Sequence, residues 1–125
     1  MMLFALNSSS NLGLRIAAML DCPVSPHEER EFACGEHKSR SLVDVWGNDV
    51  YAVSSLHGDS SYTVNDKFCR LLFFAGALKD AGARQVTAVI PYLAYSRKDR
   101  RTKPNDPVTL ATLRPLWKVL AWTGW

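Results

Sequence analysis

Apolar positions along this chain fall into two rhythms, and they change over in order. Residues 2–6 (MLFAL) are uninterrupted apolar, the pattern of a short strand buried on both faces. Asn7, Ser8, Ser9 and Ser10 follow as turn chemistry with a helix N-cap, and Leu12, Leu14, Ile16, Ala17 and Leu20 then recur at helical spacing. Asp21, Cys22 and Pro23 end that helix. Residues 24–44 are polar with a loose alternation and predict a hairpin. Residues 49–54 (DVYAVS) read as a second strand and residues 57–63 as a Gly/Ser-rich loop. Asn65 or Asp66 is the expected cap of a long helix reaching Ala77 or Lys79. Its apolar stripe is Phe68, Leu71, Leu72, Ala75 and Leu78, with Gly82 just past its end. Residues 86–90 (VTAVI) read as a third strand, and Pro107 as the first turn of another helix.

Strand, helix, strand, helix, strand, helix predicts an α/β fold: a mostly parallel sheet with flanking helices and a β-hairpin, all in one domain. At 125 residues the chain is long enough to bury a core. A net charge of +3 is mild, and the excess sits mostly in one loop, which argues against a general nucleic-acid binder. Cys22, Cys34 and Cys69 are odd in number and far apart, without metal-ligand spacing. They read as reduced thiols of a cytoplasmic protein. The first residues lack the basic region of a signal peptide, and no apolar run has the length of a membrane span.

The chemistry is concentrated in residues 91–103 (PYLAYSRKDRRTK). Arg97, Lys98, Arg100, Arg101 and Lys103 crowd into seven residues, with Asp99 among them, directly after the third strand. A strand that opens into a dense basic loop presents cations to an anion at the carboxyl edge of a sheet. Arginine adds planar, bidentate donors for phosphate oxygens. On charge alone such a run also fits a solvated loop; the strand mount and the aromatic flanks favour a site. Residues 31–36 (EFACGE) are a weaker signal, a glycine turn beside two acids.

With Pro91, Tyr95, Arg97, Asp99 and Arg100 in place, the basic run resembles the nucleotide-binding segment of ribose-phosphate pyrophosphokinases, the phosphoribosyl pyrophosphate synthetases. Lys98 departs from the glutamine usual in that family. Residues 31–36 are similar to the family's Phe-x-Asp/Asn-x-Glu turn, with Cys34 at the Asp/Asn position. Asn65-Asp66, residues 86–91 and residues 106–109 resemble the family more loosely, so the likeness covers residues 2 to about 110. The resemblance implies a phosphoribosyltransferase-like, Rossmann-like domain that is incomplete at its C-terminus. It also implies the transfer of a diphosphate from Mg-ATP to ribose 5-phosphate. By it, Phe32, Cys34, Gly35, Glu36, Arg97, Lys98 and Asp99 would bind ATP: Phe32 would stack on adenine and Glu36 would accept from its amine, on a nucleotide held by a neighbouring subunit. Arg100, Arg101 and Lys103 would stabilise the transferred phosphates.

The resemblance implies self-association as well, and Mg²⁺ whose protein ligands lie outside this chain. His27, His37 and His57 match no ligand position and are expected at the surface. The segment that would bind ribose 5-phosphate is also missing, so the chain is expected to be inactive alone. Two other readings stand beside this one: a non-catalytic nucleotide-binding relative that regulates a true synthetase, and a phosphate- or RNA-binding module built on residues 97–103.

Residues 111–125 read as an atypical tail after a domain spanning 1–110, with Trp117, Trp122 and Trp125 in its last nine residues. The genetic code offers a reason. Tryptophan is TGG and lysine begins AA, so reading from the last base of the Trp117 codon gives GAA, glutamate. Trp122 followed by Thr123 likewise gives GAC, aspartate. The remaining codons permit Leu-Glu-Gly-Val-Gly-Val-Asp-Arg-Val, which resembles the family's next helix end and strand. A one-base slip near Leu110 is therefore expected, the alternative being a divergent Trp-rich terminus. Under a slip, exposed tryptophans would favour aggregation.

Overall fold

The computed structural model describes residues 1–121. β1 (Met2–Ala5), β4 (Asp49–Val53) and β5 (Gln85–Val89) form a parallel sheet in the order β1-β4-β5. β2 (His27–Glu31) and β3 (His37–Ser41) form a separate antiparallel hairpin. α1 (Ser10–Leu20) follows β1 after a 3-10 turn, α2 (Val64–Asp80) links β4 to β5, and α3 (Thr109–Ala121) follows the basic run. The α/β class and the mostly parallel sheet are therefore as the sequence pattern predicts.

Alternation along the strands separates two apolar layers. Leu3, Ala5 and Val53 face α1 and pack with Ala17, Leu12 and Ile16. Phe4, Val50, Ala52 and Val86 point the other way, onto Phe68, Leu71, Phe74, Ala75 and Leu78 of α2. The predicted stripe of α2 omitted Phe74, which is fully buried at its centre, and included Leu72, which is only partly buried. Phe74 sets its ring edge-on to Phe4 with centroids 5.5 Å apart. The hairpin and α3 both pack on the α2 side, with Leu113 of α3 against that core.

Helix ends differ from expectation in two places. Thr63, not Asn65 or Asp66, caps α2. Its hydroxyl accepts from the Asp66 N–H at 3.1 Å, and the Asp66 carboxylate accepts from the Thr63 N–H at 2.9 Å. This is a reciprocal capping box with Asp in the usual Glu place. α3 begins at Thr109 rather than at Pro107 and runs through position 111 without a break, carrying Pro115 inside it. Trp122 and Trp125 lie outside the described residues, as does the side chain of Trp117.

α1 approaches β1 closely because Gly13 faces Ala5: a Cβ at Gly13 would collide with the Ala5 Cβ. Gly13→Ala is expected to destabilise the domain by about 1–3 kcal/mol from overpacking. The gain in helix propensity, about 1 kcal/mol, offsets only part of that. The urea midpoint is the check, and a midpoint that rises would mean α1 can move away freely.

Candidate functional site

All three parallel strands end at the same edge, so the segments after β1, β4 and β5 meet there. In open α/β sheets this carboxyl edge is where ligands bind. The basic run leaves β5 at this edge and is held by backbone geometry. The Leu56 N–H donates to the Tyr92 carbonyl at 3.1 Å, and the Lys98 N–H to the Tyr95 carbonyl at 3.1 Å. Tyr95 adopts φ 61°, a left-handed conformation costly for an aromatic residue. Its hydroxyl donates to Asn65 Oδ1 at the start of α2, which holds the strained residue in place.

Asp106 closes the loop. Its carboxylate accepts from the Thr102 hydroxyl at 2.6 Å, the Lys103 N–H at 3.1 Å and the Thr102 N–H at 3.3 Å, with Lys98 Nζ at 3.5 Å. The hydrogen bond from Thr102 is the main reason its carboxyl titrates below the usual aspartate range. Asp99 is bonded to Arg100 at 3.2 Å, which lowers the carboxyl and raises the guanidinium. Two of the five cations are thus paired within the loop. The side chains of Arg97, Arg101 and Lys103 have no partner among the described residues, and all three are exposed.

The second candidate segment, residues 32–36, is the turn of the hairpin. The Phe32 N–H donates to the Glu36 carbonyl at 2.7 Å and the Gly35 N–H to the Phe32 carbonyl at 2.9 Å. Gly35 has φ 88°, which the tight turn requires of it. Phe32 is 41% exposed, an unusual place for a large apolar ring, and the Arg30 guanidinium lies 5.3 Å from its centroid. Cys34 is an exposed free thiol. Gly35 and Glu36 also line a cavity of about 460 Å³ with His37, Asn65, Asp66, Cys69 and Phe73. Among the described residues no hydrogen bond, ion pair or ring contact joins residues 32–36 directly to 97–103. Their link runs through Asn65, which lines the hairpin cavity and also holds Tyr95.

The histidine expectation fails at His27. Its side chain is 7% exposed, its ring sits 5.1 Å from that of Phe74, and its Nε2 is 2.8 Å from Glu29 Oε1. β2 turns it inward against α2, so burial follows from hairpin packing that the local polar sequence does not announce. His37 is half-buried with its ring 5.4 Å from that of Phe73, whereas His57 is exposed beside Tyr92. Burial opposes ionisation of Glu29. Hydrogen bonds from His27 and the Asn7 N–H, with the charge of Arg70, outweigh it and hold the carboxyl low.

Lys67, 4% exposed, donates to the His57 carbonyl and to Asp59, each at 2.6 Å. That bond from Lys67, then those from the Tyr62 and Ser61 N–H groups, hold the Asp59 carboxyl down to about 2. A folded pKa below the unfolded one stabilises above the ordinary aspartate pKa and is lost on acidification. Urea midpoints should therefore fall between about pH 4 and pH 2. Asp59→Asn should flatten that part of the profile, and an unchanged slope would rule out this pair as its source.

Lys67 and Arg70 were not singled out from sequence, and Asn65 and Asp106 were read only as helix-entry positions, not as residues that hold the site. The partners of Lys67, Arg70, Asn65 and Asp106 lie 8 to 10, 39 to 41, 30 and 3 to 8 positions away, so only the Asp106 turn carries a local signal. Among the described residues no three His, Cys, Asp or Glu stand together as a metal site, and no helix is long and apolar enough to cross a membrane.

A mostly parallel α/β sheet with flanking helices, a separate hairpin and a basic loop at its carboxyl edge is of the phosphoribosyltransferase-like fold class. The family model for the N-terminal domain of ribose phosphate pyrophosphokinase matches residues 1–120, and the chain belongs to that family. It is 38% identical over 109 residues to the ribose-phosphate pyrophosphokinase of Granulibacter bethesdensis, covering 87% of this chain and 34% of that protein. It is 38% identical over 107 residues to that of Clostridium tetani, covering 86% and 32%. The crystal structure of phosphoribosylpyrophosphate synthetase from Mycobacterium smegmatis superimposes with a TM-score of 0.86 at 28% identity, covering 95% of this chain and 39% of that one. The chain thus spans about a third of the length of these curated relatives.

Proposed function

We propose that this chain is the ATP-side part of a ribose-phosphate diphosphokinase. The observation that carries the reading is the set of three unpaired cations, Arg97, Arg101 and Lys103, on a loop mounted at the carboxyl edge of the sheet. Arg97 and Lys98 contact the ATP phosphates, beside Asp99. Arg100, Arg101 and Lys103 neutralise charge on the diphosphate as it transfers to ribose 5-phosphate. Phosphoryl-type transfer asks for positioning and charge neutralisation more than covalent chemistry, and a fixed arginine loop supplies both. Phe32 offers a stacking face and Glu36 an acceptor for the adenine amine. The turn 32–36 serves a neighbouring subunit's nucleotide, so the working form is a homo-oligomer in the cytoplasm.

Mg²⁺ reaches this site with ATP. The described residues provide no cluster to hold it. This 125-residue chain by itself is read as binding nucleotide without turnover. Calorimetric titration with MgATP, and an assay of AMP release with ribose 5-phosphate, test both halves. Binding without AMP release is expected, and absence of binding sinks the reading. Steeply salt-dependent RNA binding in its place would favour a nucleic-acid module. Residues 111–125 remain a proposed frame slip, tested by resequencing from the Leu110 codon.

A further inference from the structure

Three side chains in the first two turns of α2 each hold a different segment of the carboxyl edge. Asn65 holds Tyr95 and with it the start of the basic loop. Lys67 holds His57 and Asp59. Arg70, 6% exposed, holds the hairpin: NH2 donates to Glu31 Oε2 at 2.6 Å, and NH1 lies 3.6 Å from Glu29 Oε2. The guanidinium lies 4.7 Å from the Tyr62 ring centroid. Glu29, whose side chain is 3% exposed, also accepts from the Asn7 N–H at 2.6 Å, which brings the turn after β1 into the same cluster.

This is a costly way to glue a hairpin to a helix. Burying a guanidinium beside a carboxylate forfeits the hydration of both, and apolar residues of equal volume often stabilise as much or more. The Arg70 Nε is buried with no partner, so the cluster is not even fully satisfied. What it does impose is geometry. The planar fork can donate to Glu31 while facing Glu29 only when β2 stands at one position relative to α2. Phe32 follows Glu31 directly, so that position sets where the turn 32–36 points.

We propose that Arg70 is the positioning residue for the base-reading turn 32–36. It acts through Glu29 and Glu31 and refers the turn to the same helix that holds Tyr95. Each α2 then fixes, five residues apart, the loop that holds its own nucleotide's phosphates and the turn it offers to the base of a neighbouring subunit's nucleotide. The proposal rests on the ATP-side reading above and deepens it.

The test titrates MgATP and magnesium tripolyphosphate, a probe with no base, into the chain and into R70M and R70K, with thermal unfolding recorded in parallel. R70M is expected to weaken MgATP about tenfold or more and to leave tripolyphosphate within about twofold. R70K, which still pairs with Glu31, recovers part of the ATP affinity. A matched loss of both ligands, following the drop in thermal midpoint, would make Arg70 merely structural and overturn the proposal. Unchanged ATP affinity would overturn it too. Wild-type chain that binds ATP no tighter than tripolyphosphate removes base reading and this proposal, while leaving the phosphate loop standing. Wild-type chain that binds neither removes the functional reading itself. If R70M does not fold, E31Q carries the test, since the Glu31 side chain is 58% exposed and its neutralisation still leaves Arg70 facing Glu29 at 3.6 Å.

Discussion

Exchanging Arg97, Arg101 and Lys103 together for alanine is expected to weaken MgATP binding by about a hundredfold or more. Each exposed, charge-assisted contact to a phosphate contributes up to about tenfold once solvent screening is discounted, and the three cations act on one polyanion. They are the loop cations without an internal partner, so their charge is available to a ligand at no loss of a native pair. Lys98→Met should cost less, because Lys98 already faces Asp106. The same titrations run at several salt concentrations should show a shallower salt dependence for the triple variant. A loss below about threefold would mean the loop is a solvated charge cluster and not the phosphate site.

Phe74→Ala is expected to be the most damaging single core change. Phe74 is fully buried, set against Phe4 and His27, and central to the contact of α2 with the sheet. Removing a buried phenylalanine costs about 3–5 kcal/mol, a large share of the roughly 5–15 kcal/mol that holds a domain together. A fall in thermal midpoint on the order of 15 °C follows for a domain of this size. Phe73→Ala, one residue away but 58% exposed, should stay within about 1 kcal/mol. Equal losses at the two positions would contradict the placement of the helix face. Because His27 rests on Phe74, F74A should also loosen the hairpin and weaken ATP more than tripolyphosphate.

The order of elements and the parallel sheet were legible in the sequence because each depends on short-range periodicity. A buried strand such as residues 2–6 and an amphipathic helix such as α2 carry their own signal within a dozen residues. Local turn chemistry was legible with small errors. Thr63 and Asp66 form a capping box that Asn65-Asp66 partly disguised, and α3 begins two residues after Pro107. The basic loop was legible as a charge cluster, and its family pattern pointed to nucleotide.

By itself, then, the sequence determined the class of the fold, the strand that mounts the basic loop and the residue types offered to phosphate. Period and composition are properties of neighbours along the chain. Only the tertiary structure decided which cations are free, since Asp106 reaches Lys98 through a loop closure. It alone decided that His27 is buried and that Phe74, one step off the expected stripe, is the core. It alone placed Asn65 beside Tyr95 and Arg70 beside Glu29 and Glu31, pairs 30 to 41 positions apart. Such pairings arise when helix, hairpin and sheet edge close on one another. The free energy of a buried charge depends on that closure, and a linear pattern of residues does not contain it.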